Sequence, residues 1–116
     1  MRSKSKFNNR KIKRKDGEFD SKKEFAVWQE LKKAQNMGLI KDLQRQVPFE
    51  LIPKQYVGKK LIERECKYIA DFTYIDCDNN EFCVLDVKSD ATITPEFKIK
   101  KKLMLYFHNI QIKIIN

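Results

Sequence analysis

The stretch that decides the fold is Tyr68-Ile69-Ala70-Asp71-Phe72-Thr73-Tyr74-Ile75-Asp76-Cys77-Asp78-Asn79-Asn80-Glu81-Phe82-Cys83-Val84-Leu85-Asp86-Val87-Lys88. Its two outer runs, 68–75 and 81–88, are rich in β-branched and aromatic residues, which suit a pleated, half-buried surface. Between them, Asp and Asn side chains can bond the nearby backbone and tolerate left-handed φ, so 76–80 reads as a turn. The whole reads as a β-hairpin. If it closes between Asp78 and Asn79, Asp71 lies directly opposite Asp86. Opposed residues hold their Cβ atoms about 4.5–5.5 Å apart, where like charges repel. A cation between the two carboxylates would remove that cost. Strand alternation puts Lys88 on the face of Asp86, groups Asp71 with Ile69 and Thr73, and turns Tyr68, Phe72 and Tyr74 to the opposite face as core. A slip of one residue in the register would separate the aspartates.

Upstream, a helix is expected from Asp20 or Ser21 to about Met37, with Gly38 placed to end it. On a wheel of about 3.6 residues per turn, Glu24 falls between Val27 and Trp28, in the middle of the apolar stripe. A carboxylate there is costly unless a cation or hydrogen-bond donor meets it. Two readings stay open. Glu24 projects toward the sheet as a ligand or orienting group, or it closes a capping box with Ser21 and returns to its own helix. Residues 46–53 read as a short strand bounded by prolines, and the polar segment 54–66 as a turn or hairpin extension. Downstream, Thr94-Pro95-Glu96 opens a second helix that reaches about Phe107, with Phe97, Leu103, Leu105 and Tyr106 facing inward. Residues 110–115 alternate as a last strand. The expected fold is α/β, in the order αβββαβ, with a mixed central sheet flanked by helices.

The chain has 116 residues, enough for one domain, and no apolar run long enough to span a membrane. Its net charge of +9 is concentrated. Residues 1–15 hold eight of the 25 basic residues and no acid, and the rest of the chain is nearly neutral. This reads as a basic flexible arm ahead of a single domain at 16–116, and its natural partner is a polyanion such as DNA. Arg10, Lys11, Lys13, Arg14 and Lys15 of the arm, with Lys98, Lys101 and Lys102 of the second helix, are the candidate nucleic-acid contacts. Three cysteines without CxxC spacing give neither a disulfide framework nor a zinc site, and suit a reducing cytoplasm. A single histidine, His108, excludes paired-histidine metal centres.

Two carboxylates beside a lysine suit phosphodiester hydrolysis. Hard oxygen ligands hold Mg²⁺ or Mn²⁺, which activates water and neutralises phosphate charge, and a lysine stabilises charge that develops in the transition state. Asp71 and Asp86, with the Val87 carbonyl, are the candidate metal ligands, Lys88 attends the nucleophile, and Glu24 is a further ligand.

Glu24, Asp71, Asp86-Val87-Lys88 and the element order resemble the PD-(D/E)XK nuclease superfamily. Within it, Phe19-Asp20-Ser21-Lys22-Lys23-Glu24, Gly38-Leu39-Ile40-Lys41-Asp42-Leu43-Gln44, Phe49-Glu50-Leu51-Ile52-Pro53 and Tyr68-Ile69-Ala70-Asp71-Phe72 resemble a group of small phage-encoded, DUF1064-like proteins of unknown function. The resemblance covers about residues 8–115. It implies a restriction-endonuclease-like core and a Mg²⁺-dependent DNA endonuclease, related to archaeal-type Holliday junction resolvases and a transposase endonuclease subunit. It places catalytic roles on Glu24, Asp71, Asp86 and Lys88, metal ligation on Asp71, Asp86, Val87 and Glu24, and a supporting role on Gln46. Ala70 stands where the family's signature proline is usual, and Asp86 where Glu is commoner. Branched or recombining DNA is the expected substrate and a bacterial host's cytoplasm the expected setting. A homodimer would supply the two sites that junction cutting needs. The alternative is a non-catalytic nucleic-acid-binding module of the same fold.

Overall fold

The structure is a computed structural model that describes residues 12–14, 17–19 and 21–116. Its elements are β1 (Ile12–Arg14), β2 (Gly17–Phe19), α1 (Lys22–Asn36), β3 (Ile40–Ile52), β4 (Gln55–Val57), β5 (Lys60–Glu63), β6 (Cys66–Asp76), β7 (Glu81–Val87), α2 (Pro95–His108) and β8 (Lys113–Ile115). A 3-10 turn at Asp90–Thr92 precedes α2. The main sheet has the order β3-β6-β7-β8, antiparallel except for the parallel pair β7–β8. The described residues are therefore α/β, with a mixed sheet and two α-helices. Two small hairpins, β1–β2 and β4–β5, stand outside the main sheet. The segment Ile12–Arg14, expected within the arm, is a paired strand. Residues 1–11 lie outside the description. No helix among the described residues is long and apolar enough to cross a membrane.

Both helices start and stop where local chemistry directs. Ser21 caps α1, its Oγ accepting the Glu24 N–H at 3.0 Å, and Gly38 follows the helix at φ +79°. Thr94 caps α2 through the Phe97 N–H, with Pro95 at the first turn, where its missing N–H costs nothing. The β6–β7 hairpin has the expected register: Phe72 pairs with Leu85 and Asp76 with Glu81. Its turn is held by Asp76 Oδ1 and Asn79 Oδ1, which accept the Asp78 and Glu81 N–H groups, with Asn80 left-handed at φ +60°.

Other expectations need correction. Strand β3 starts at Ile40 rather than Gln46 and runs for 13 residues. Left-handed residues, Asp42 at φ +56° and Gln46 at φ +53°, interrupt it, so the alternation that would reveal a strand is broken along the chain. The last strand is shorter than expected and pairs only from Lys113. In α2 the buried residues are Phe97 and Met104, seven apart and therefore on one face. Leu105 and Tyr106 lie about 100° and 200° further round and are exposed.

The core forms two clusters, one under each helix. Val84 belongs to the α2 cluster and its neighbour Leu85 to the α1 cluster, so the clusters occupy opposite faces of the sheet. Strand β6 changes sides between them. Tyr68 and Ala70 pack under α2, whereas Phe72 and Tyr74 pack under α1. Strict alternation would keep all four on one face. The switch falls where the β3–β6 ladder pairs Val47 with Ala70 and Arg45 with Phe72 but leaves Gln46 and Asp71 out. The expectation that Tyr68 and Phe72 share a face fails here, because the left-handed Gln46 lets both strands rotate locally. Ile69, expected beside Asp71, is half exposed, and Thr73 is buried opposite Val84.

Candidate active site

Asp71 sits at this switch. The Val87 N–H donates to Asp71 Oδ2 at 2.8 Å, so a carboxylate replaces a backbone carbonyl where the β6–β7 ladder ends. On β7, Asp86 is buried and points to the α2 side. Lys88 Nζ lies 3.3 Å from Asp86 Oδ1, and the Tyr68 hydroxyl donates to Oδ2. Lys88 also lies over the Phe97 ring, its ammonium 4.4 Å from the ring centre, a cation–π contact. Its backbone carbonyl accepts Lys23 Nζ at 3.0 Å.

From α1, Glu24 is buried with 4% exposure, and its Oε2 accepts Gln46 Nε2 at 3.3 Å. The two sequence readings of Glu24 meet in part: its backbone N–H takes the Ser21 cap while its carboxylate reaches across to β3. Gln46 can do this because its left-handed backbone takes it out of the ladder.

Glu24, Asp71, Asp86, Val87 and Lys88 all line one cleft of about 680 Å³. Burial pushes the Asp71 carboxyl up to about 7, and the charges of Asp86 and Glu24 add to the rise. The Val87 N–H and Lys88 oppose it. Burial likewise pushes the Tyr68 hydroxyl upward, helped by the charge of Asp86, so it stays a donor. Asp71 is thus the carboxyl whose charge the cleft opposes, through burial first and then through its acidic neighbours. Among the described residues, no three His, Cys, Asp or Glu side chains are close enough to cage an ion unaided.

Several residues here were not foreseen. Tyr68 is core, as read, but its hydroxyl also donates to Asp86, and Lys23 and Lys67 join the cleft wall. On α2 the lysine that lines the cleft is Lys100, whereas Lys98 and Lys102 are exposed elsewhere and Lys101 is half-buried. Arg10, Lys11 and Lys15 lie outside the described residues, as do the side chains of Lys13 and Arg14. His108 is structural, its Nε2 2.7 Å from the Glu50 carbonyl. The three cysteines are free thiols.

Among known protein families, residues 4–116 match the one described as Protein of unknown function (DUF1064). The chain belongs to that family. No curated protein and no solved structure matches it. The DUF1064 match takes in both helices, the whole main sheet and every residue of the cleft.

Proposed function

We propose that this DUF1064 protein is a metal-dependent endodeoxyribonuclease of the PD-(D/E)XK type. The observation that carries the reading is the convergence of Glu24, Asp71, Asp86 and Lys88, from one helix and two strands, on a single cleft. Mutually repelling carboxylates, with Asp71 held near neutrality by burial and by its neighbours' charge, fit a hard divalent cation such as Mg²⁺ or Mn²⁺. Asp71 and Asp86 would hold it, with the Val87 carbonyl and Glu24 contributing. When bound, such an ion supplies Lewis-acid activation of water and neutralises phosphate charge.

The chain's own residues have separable tasks in this reading. Lys88, positioned by Asp86 and the Phe97 ring, stabilises negative charge growing on the phosphoryl oxygens. Tyr68 fixes the orientation of Asp86, and Gln46 that of Glu24. Lys23 ties the backbone of Lys88 to the start of α1. The substrate proposed is branched or recombining DNA, cut by a homodimer in the cytoplasm of a phage-infected bacterium.

The test is incubation of purified protein, with Mg²⁺ or Mn²⁺, with linear, flapped and four-way DNA. Cleavage that is lost in Asp86→Ala and Lys88→Ala supports the reading. No cleavage, or cleavage that survives both changes, refutes it. A second reading, a nucleic-acid-binding module without catalysis, is favoured by one observation. Both oxygens of Asp86 are already satisfied, by Tyr68 and by Lys88. It predicts DNA binding that falls steeply with salt and no heat of Mn²⁺ binding that depends on Asp71.

A further inference from the structure

Among the described residues four lysines line the cleft, and they differ in their partners. Lys23 and Lys88 are committed to the protein, one to a backbone carbonyl and the other to Asp86. Lys67, on β6, is exposed, and its side chain makes no hydrogen bond or ion pair among the described residues. Lys100, on α2, is different again. Its Nζ lies 2.9 Å from Glu96 Oε2, one helical turn back, and Glu96 also lines the cleft. The Lys100 side chain is 25% exposed, whereas that of Glu96 is 75% exposed. The lysine is therefore seated in the cleft wall, and its partner is a solvated carboxylate.

From this arrangement we infer that Lys67 and Lys100 are the cleft's grip on the backbone phosphates of a nucleic-acid strand, and that Glu96 is an internal competitor for Lys100. A carboxylate oxygen on a lysine ammonium reproduces one phosphate oxygen. An exposed i,i+4 ion pair is weak, so a strand phosphate with its counterion-release gain displaces it. The site then carries separate cations for separate tasks: Lys88 beside the acids, and Lys67 and Lys100 along the strand. Lys98 and Lys102 share the helix with Lys100 but do not reach the cleft. This inference rests on the cleft being a nucleic-acid site, though not on cleavage.

The test measures binding of labelled single-stranded and duplex oligonucleotides to the full chain, in EDTA, over a salt series. Lys67→Gln and Lys100→Gln should each weaken binding about tenfold near 0.1 M salt and lower the salt slope by about one. Lys102→Gln should do less, and Lys100→Arg should keep the parent affinity. Glu96→Gln should tighten binding in the parent and have no effect in the Lys100→Gln background, which separates competition at Lys100 from a general change of charge. The inference is overturned if Glu96→Gln acts equally in both backgrounds, or if the two cleft variants bind like Lys102→Gln. A chain that binds through these lysines yet never cuts DNA sinks the hydrolytic reading and spares this one. A chain that binds no oligonucleotide sinks both.

Discussion

Replacing Asp71 by Asn should make the protein more stable at alkaline pH. The folded-state pKa of Asp71 is about 7, above the value near 3.9 expected in the unfolded chain. Between those limits the folded protein keeps a proton that the unfolded chain has released. The contribution of this group to stability is therefore fullest below about pH 4, falls as pH rises toward 7, and stays low above it. At about 1.4 kcal/mol per pH unit the ceiling on the loss is about 4 kcal/mol. Asp71 is partly exposed and shares its charge with Asp86, so screening by water brings the figure to about 1–2 kcal/mol. Asn removes the charge and still offers an oxygen to the Val87 N–H. Urea unfolding of parent and Asp71→Asn at pH 8 should show the variant ahead by about 1–2 kcal/mol at equal denaturant slope. At pH 3.5, where folded and unfolded parent are both largely protonated, the gap should nearly close. Adding Mn²⁺ at pH 8 should stabilise the parent and not the variant, since an ion that binds the folded state stabilises it by mass action. A variant less stable than the parent at pH 8, or a gap unchanged between pH 3.5 and pH 8, would refute the claim that burying the charged Asp71 carboxylate costs stability.

Three further outcomes follow from the packing. Phe72 is fully buried and stacks on Trp28 with ring centres 5.8 Å apart, so Phe72→Ala should cost about 3–5 kcal/mol in urea unfolding; a loss below about 1 kcal/mol would show that the α1 cluster does not hold the sheet. Tyr68→Phe should cost about 1–2 kcal/mol because it strips the buried Asp86 of a donor, and unchanged stability would mean that the hydroxyl does not bond that carboxylate in solution. Gly38→Ala meets open space but must adopt φ +79°, so a loss of about 1 kcal/mol in thermal melting is expected, and a gain would refute the left-handed cap.

Where structure depends on neighbours along the chain, it was legible beforehand. Ser21 and Thr94 mark helix starts because a hydroxyl satisfies the otherwise unpaired N–H groups of the first turn, and Gly38 marks an end because it accepts left-handed φ. The hairpin register followed from the Asp and Asn turn, and with it the approach of Asp71 and Asp86. The burial of Glu24 followed from its place between Val27 and Trp28, whereas the sequence left open whether its carboxylate serves the sheet or its own helix.

What the chain order alone leaves open is which way each strand rotates once it is paired. Gln46 is not a residue type that favours φ +53°, and only the partner strand and the packing on both faces hold it there. That one rotation moves Tyr68 to the face of Asp86, moves Phe72 to the other face, and releases Gln46 to meet Glu24. The choice of Lys100 over its neighbours has the same origin, because burial of Phe97 and Met104 sets the roll of α2. Caps and turns are local, and sequence alone determined them. Strand rotation and helix roll minimise the energy of contacts between residues far apart in the chain, so only the tertiary structure decided them.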